Sequence, residues 1–221
     1  MIDSPVLEAI DLYRFYHAGD DETLALRGVS LRLYSREIVA VTGPSGSGKS
    51  TLLACLAGLD EPDGGTVKVS GRTMSRRPEH ERAAFRTRTL GMLFQSHNLL
   101  DHLSVEQNIV FAQRLAGRVD PVRVSALLEE VGLSERAGAS PASLSGGESA
   151  RAGLAVALAN DPLVVLADEP TGELDEVTAR RIIELLRTHA DAGAAVLIVT
   201  HSASVAAEAD REISLIDGQV A

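Results

Sequence analysis

The residues of this chain that could do chemistry start with Gly43, Pro44, Ser45, Gly46, Ser47, Gly48, Lys49, Ser50 and Thr51. They match G-x-x-x-x-G-K-[ST] in full. Chemistry requires these residue types at this spacing. Glycines let backbone N–H groups turn inward around phosphates, and the positive end of a following helix faces the same point. Lys49 supplies a charge for the outer phosphates, and the Ser50 hydroxyl can ligate Mg²⁺. Phosphoryl transfer also needs carboxylates, and Asp168-Glu169 ends an apolar run further on. Asp168 is expected to partner Ser50 at the metal, directly or through water. Glu169 is then free to orient or deprotonate an attacking water, while Gln95 and His201 sense or polarise the γ-phosphate region.

The elements around these residues can be read from apolar spacing. Ile38–Thr42 is a buried-type strand before the glycine loop, and Leu52–Ala57 continues as a helix after it. Further apolar strands are expected at Leu90–Phe94, ending in Gln95, at Leu163–Ala167, ending in Asp168, and at Ala194–Thr200, ending in His201. Alternation with helices argues a parallel sheet, and ligands of such sheets bind at the carboxyl ends of the strands. All four strand ends therefore point at one edge. A closing strand is expected at Arg211–Ile216, with helices at Glu173–His189 and Ser202–Ala209.

Before the loop, Val6–Tyr16 and Leu26–Leu33 read as strands joined by a turn at His17–Glu22. With Val67–Val69 they make an antiparallel piece of two or three strands, Val67–Val69 following the turn Glu61–Gly65. Tyr13 and Phe15 are expected in the core, whereas Tyr16, at a strand end, is placed to stack on a base. The arginines at 72, 76, 77, 82, 86 and 88 read as a solvated helical face. Ser104–Ala116 and Pro121–Val131 have helical spacing, with Ser104 an N-cap and Gly132 a stop. A third helix opens at Leu144-Ser145-Gly146-Gly147-Glu148 and runs to about Asn160. Ser145 and Glu148 have the spacing of a capping box, and the two glycines can also offer N–H groups to an anion.

Totals set outer bounds. The chain has 221 residues, 45% of them hydrophobic, enough to bury a sizeable core in one domain. A single unit is expected, with a catalytic core at about 1–95 and 161–221 and a helical insertion at about 96–160. The net charge of −10 argues against a nucleic-acid partner. The one cysteine, Cys55, reads as a small buried hydrophobe. No apolar run approaches the roughly 18 residues of a membrane span, and Met1–Pro5 has no signal-peptide layout.

The glycine loop, Gln95, Leu144–Glu148, Leu166–Glu169, Glu173-Leu174-Asp175 and His201, in that order, resemble the nucleotide-binding subunits of ABC transporters over almost the whole chain. The spacing from Tyr16 to Leu26, Gly91–Gln95 and Thr171–Asp175 is most similar to the bacterial cassettes of lipoprotein release, macrolide export and cell-division complexes. The resemblance implies a phosphate-loop α/β fold: a mostly parallel sheet, an antiparallel β subdomain and an inserted helical subdomain. It implies Mg²⁺-dependent ATP hydrolysis. Tyr16 is similar to the aromatic that stacks on adenine, residues Gly43 to Thr51 to the phosphate cradle, and Gln95 and Asp168 to the groups serving Mg²⁺. Glu169 is similar to the catalytic carboxylate and His201 to the γ-phosphate contact. Ser145, Gly146 and Gly147 are similar to the signature that binds ATP held by a second cassette, and Asp175 to the loop linking the two sites. The implied partners are that second cassette and membrane-spanning subunits, at the cytoplasmic side of the cell membrane. A regulatory cassette of the cell-division type is the alternative. The chain departs from the family pattern in two places: Ser149-Ala150 stands where the family often has two glutamines, and Arg36 where it usually has a glycine.

Overall fold

Alternating apolar residues at the start of the chain make two long antiparallel strands, β1 (Leu7–Ala18) and β2 (Asp21–Leu33). The computed structural model describes residues 4–18, 21–96 and 98–221, so Gly19 and Asp20 of the expected turn and Met1–Asp3 lie outside the described residues. Strand β4 (Gly64–Val69) pairs with β1, and β5 (Arg72–Thr73) with β4, giving a four-stranded sheet in the order β2-β1-β4-β5. The sheet is thus larger than the expected two or three strands.

Tyr13 corrects the core assignment. Leu7 and Ala9 are buried at odd positions, but Asp11 takes a left-handed φ of 49° and the pairing register shifts on either side of Leu12, which is buried at an even position. A bulge of this kind reverses which face each later side chain meets. Tyr13 is therefore 41% exposed, its ring lying where a side chain on Gly28 or Gly64 would stand, and Phe15 is only half-buried.

The second sheet is built from β3 (Ile38–Thr42), β6 (Leu90–Leu93), β7 (Val164–Asp168), β8 (Ala195–Val199), β9 (Arg211–Ile216) and β10 (Gln219–Val220). Its order is β10-β9-β3-β8-β7-β6, parallel except for β10, which turns back on β9 through Asp217-Gly218. That small hairpin strand was not expected from the sequence. Both faces are buried, which is why the strands read as continuous apolar runs. Val39, Val41, Leu166 and Leu197 face one apolar cluster shared with the four-stranded sheet and helix α1 (Lys49–Leu56). Ile38, Val165, Val196 and Ile198 face another, shared with α3 (Val105–Leu115), α4 (Pro121–Glu130), α5 (Gly146–Ala157) and α6 (Glu176–Asp191). A short helix α7 (Ala203–Ala207) follows β8.

Caps set the helix starts. Ser104 forms a reciprocal capping box with Gln107, Ser145 does so with Glu148, and Asp120 caps α4. Asp175 accepts from the amides of Val177 and Thr178, so α6 begins at Glu176 rather than at the expected Glu173. The basic segment is corrected at Arg82 and Arg86, whereas Arg72, Arg76 and Arg88 are exposed as expected. In α2 (Glu79–Thr89), Arg82 pairs with Glu61 and Glu79, and Arg86 pairs with Glu79 and donates to the Gly58 carbonyl. Both guanidinium groups are thus tied to the loop after α1 instead of facing water.

Strand β6, which leads to Gln95, approaches α5 through Gly91. A Cβ there would stand 2.4 Å from the Ala157 carbonyl oxygen and 3.0 Å from Pro162. Backbone cannot yield as a flexible side chain can, so Gly91→Ala is expected to destabilise the fold by about 1–3 kcal/mol. Urea unfolding followed by circular dichroism checks it, and an unchanged midpoint would show that the strand and helix separate freely.

Candidate active site

The carboxyl ends of β3, β8, β7 and β6 lie side by side, as the parallel pairing requires. They open on a cleft of about 880 Å³ that collects Tyr16, residues Ser45 to Thr51 apart from Ser47, Gln95, Asp168, Glu169 and His201. Of the residues expected at the phosphates, Gly43, Pro44 and Ser47 do not line the cleft, and of these only Ser47 is buried. The Lys49 ammonium donates to the Gly43 and Pro44 carbonyls at 2.9 and 2.8 Å, and Ser47 is buried with its hydroxyl unpartnered among the described residues. Lys49 is itself only 6% exposed. Burial lowers its pKa, against the opposing pull of Glu169 and Asp168.

Asp168 ends β7. Burial, then the charge of neighbouring Glu169, raises its carboxyl above the usual range, with Lys49 and His201 opposing. Glu169 turns out of the strand with φ 46°, its amide donating to the Val199 carbonyl at 2.9 Å. One carboxylate oxygen, Oε2, accepts from the Thr200 hydroxyl at 3.2 Å. The other, Oε1, is buried with no hydrogen-bond partner among the described residues and lies 3.7 Å from His201 Nε2. A buried carboxylate oxygen left unsatisfied is costly, and such groups collect where a ligand or reacting water is to be met. Gln95 is exposed, its amide 3.4 Å from Glu173 Oε1. Together Ser50, Gln95 and Asp168 offer hydroxyl, amide and carboxylate oxygens, a hard donor set suited to Mg²⁺ rather than to a soft metal.

The signature residues are not part of this cleft. Ser145 and Gly146 are exposed at the start of α5, and Gly146 borders a smaller cavity of about 190 Å³ with Gln95, Ser149, Ala150 and Glu173. Asp175 is engaged in capping α6, with the Thr178 hydroxyl also donating to it at 2.7 Å. Several cleft residues escaped the sequence reading: Thr23, Ala25 and Arg27 on β2, Asp217-Gly218 in the hairpin, and, behind the wall, the fully buried Thr200. Thr200 was signalled only by its place before His201 at a strand end.

Residues 26–172 match the ABC transporter family. The chain belongs to that family. Along 217 residues it is 44% identical to the lipoprotein-releasing system ATP-binding protein LolD 1 of Rhodopirellula baltica, covering 96% of this chain and 95% of that protein. It is 41% identical over 220 residues to the macrolide export ATP-binding/permease protein MacB of Escherichia coli K12, covering 98% of this chain and 34% of MacB. The chain thus spans about a third of the MacB-type relatives and nearly all of the LolD-type one. Its fold superposes on a dimeric post-hydrolysis structure of the ATP-binding cassette MJ0796 bound to ADP and Pi, with a TM-score of 0.90, 33% identity, and 97% and 96% of the two chains covered. The chain is an ATP-binding cassette of the ABC transporter family, similar in sequence to LolD 1 and to the matched part of MacB.

The raised Asp168 carboxyl has a consequence for stability. A group whose folded pKa lies above its unfolded value contributes stability below the unfolded pKa and loses it as pH rises through the folded pKa. At neutral pH the Asp168 charge is therefore a liability to the nucleotide-free fold. Asp168→Asn is expected to raise the unfolding temperature of the nucleotide-free cassette at pH 7, the gain shrinking in acidic buffer, while hydrolysis falls. Calorimetry across pH checks this, and a lower unfolding temperature at pH 7 would refute it.

Proposed function

We propose that this cassette hydrolyses MgATP in the cleft, with Glu169 as the carboxylate that orients or deprotonates the attacking water. The observation that carries the reading is Glu169 Oε1, buried at the cleft wall with no hydrogen-bond partner among the described residues and 3.7 Å from His201 Nε2. In this reading the glycine loop and Lys49 hold the phosphates, His201 contacts the γ-phosphate, and Tyr16 stacks on the base. Mg²⁺, held by Ser50, Asp168 and Gln95, would neutralise charge on the phosphate oxygens. Thr200 fixes Glu169 from below through its hydroxyl.

The reading divides the chain into a core at 1–95 and 161–221 and a helical lobe at 96–160. In support, α3, α4 and α5 all lie between β6 and β7 in the chain. The lobe's Ser145 and Gly146 stand exposed and Gly147 is half-buried beside them, all three outside the cleft of their own chain. Their role is to close the ATP site of a second cassette, and Asp175 lies between the paired sites. The related cassette MJ0796 is dimeric in its post-hydrolysis structure, which supports this arrangement. Membrane-spanning subunits complete the machine at the cytoplasmic side of the membrane. Among the described residues no helix is long and apolar enough to cross a membrane, and MacB, named as an ATP-binding/permease protein, extends well beyond the matched region.

Glu169→Gln keeps shape and removes the charge. It is expected to lower kcat by about 10²- to 10⁴-fold while leaving ATP bound, so that the closed pair accumulates. Light scattering after gel filtration should then show dimer mass with ATP in the variant, and the wild type should return to monomer as ATP is consumed. A variant that hydrolyses at the wild-type rate would remove Glu169 from the mechanism. One that stays monomeric at saturating ATP, alone and with its natural partner cassette, would overturn the composite site.

A further inference from the structure

We infer that Asp60 and Arg14 are positioning residues for the base of the nucleotide, acting through Tyr16. Tyr16 is 40% exposed, an unfavourable setting for a free ring, and it borders the cleft. It is nevertheless not free. Its hydroxyl donates to Asp60 Oδ2 at 2.8 Å, and Arg14 Nε donates to the same oxygen at 2.8 Å. The Arg14 guanidinium carbon lies 4.7 Å from the centroid of the Tyr16 ring, a cation–π distance. One face of the ring is thus covered from within the protein, which leaves the other for a base.

The brace is itself anchored. Arg14 Nη1 and the Phe15 amide both donate to Asp63 Oδ2, at 3.0 and 2.8 Å, and the Asp63 amide donates to the Tyr13 carbonyl at 2.9 Å. Asp60 Oδ1 accepts from the Glu61 amide at 2.9 Å, so both its oxygens are engaged. Burial alone would raise the Asp60 carboxyl, but the hydrogen bonds from Arg14 and Tyr16 outweigh it and hold it below the usual range. The amides of Leu59 and Asp60 donate to the Ala54 carbonyl in α1, the helix whose first residue is Lys49. A helix of eight residues, about 12 Å long, therefore has the phosphate site at one end and the anchor of the base platform at the other. The distance from phosphates to base is fixed by one rigid element, and Asp60 is the joint. On the far side of the same loop, Arg82 pairs with Glu61 and Arg86 donates to the Gly58 carbonyl.

The inference rests on the proposed stacking role of Tyr16, and the test separates the two. Affinities for MgATP and for magnesium tripolyphosphate, which has no base, are measured by calorimetry on the full chain. Asp60→Ala and Tyr16→Phe should each weaken ATP on the order of fivefold, part of what a lost base–aromatic stack costs, and leave tripolyphosphate within about twofold. The double variant should bind ATP no more weakly than Asp60→Ala alone, since both remove one coupled contact. Asp60→Asn retains an acceptor for the tyrosine hydroxyl and should recover part of the loss. Equal weakening of both ligands by Asp60→Ala, an unchanged ATP affinity, or additive losses in the double variant would each overturn the positioning role. Tyr16→Ala separates the readings. If it weakens ATP selectively while Asp60→Ala does not, the brace alone is wrong. If it leaves ATP affinity unchanged, the stacking role fails and the brace with it.

Discussion

The close approach of three backbone segments at the glycine loop constrains the rest of the structure. A Cβ on Gly43 would stand 2.0 Å from the Leu215 carbonyl oxygen, and one on Gly48 would stand 2.4 Å from that of Ala25. Both glycines also have positive φ, 148° and 99°, where an L side chain is strained. Only residues without a side chain let β9 of the large sheet and β2 of the small one close on the loop from two sides. The contact is then locked by backbone hydrogen bonds, from the Gly218 amide to the Ser47 carbonyl at 3.1 Å and from the Arg27 amide to the Gly218 carbonyl at 2.8 Å. The two sheets, the terminal hairpin and α1 are placed by that convergence, and the cleft follows as the space left between them.

Within this frame the site departs from what stability alone would favour. Asp168 and Glu169 are adjacent carboxylates at the end of a strand whose other residues, Val164 to Ala167, are fully buried. Glu169 adopts a left-handed backbone, which costs an L residue roughly 1–2 kcal/mol, and carries a buried oxygen with no hydrogen-bond partner among the described residues. These costs are tolerable because the strand beneath is buried on both faces between two apolar clusters. The same trade appears on a smaller scale at Arg36, where the family's usual glycine is replaced and φ is 67°. There the turn is stabilised from outside, by the Arg36 amide donating to the Ala194 carbonyl at 2.9 Å and by Ser35 donating to the Gly193 carbonyl at 2.5 Å.

What could be read from the chain alone follows from how local each signal is. The parallel strands were legible to within a residue or two because each is a short apolar run bounded by polar residues, and their shared carboxyl edge followed from alternation with helices. The residues expected at the strand ends, Gln95, Asp168, Glu169 and His201, do meet in one cleft. Tyr13 was misplaced because the bulge around Asp11 depends on pairing with Ser30 and Val29 across the sheet, which no window within β1 contains. The start of α6 falls three residues later than the spacing predicts because Asp175, within the predicted helix, is its cap. Arg14, Asp60 and Asp63 were invisible as a unit, since their contacts span 46 to 49 residues of chain. Long-range polar joints of this kind leave no periodicity to detect.

The start of α5 is a sound local structure that leaves room for the role proposed for it. The capping box consumes the Ser145 hydroxyl and the Glu148 carboxylate, and Arg136 pairs with that carboxylate at 3.1 Å. The first turn of a helix still holds amides that its own backbone cannot satisfy. After the box is formed, those of Gly146 and Gly147 remain, at the positive end of the helix and without side chains to screen them. A cap made for stability alone has no need of two glycines, since each lowers helix stability by about 1 kcal/mol relative to alanine. Gly147 has a packing reason, because a Cβ would stand 3.0 Å from Thr178 on α6. Gly146 has none of that kind: a Cβ there would meet nothing within 4 Å. Its lack of a side chain answers to nothing within its own chain's fold, which agrees with the proposed approach of an anionic ligand held by a second cassette.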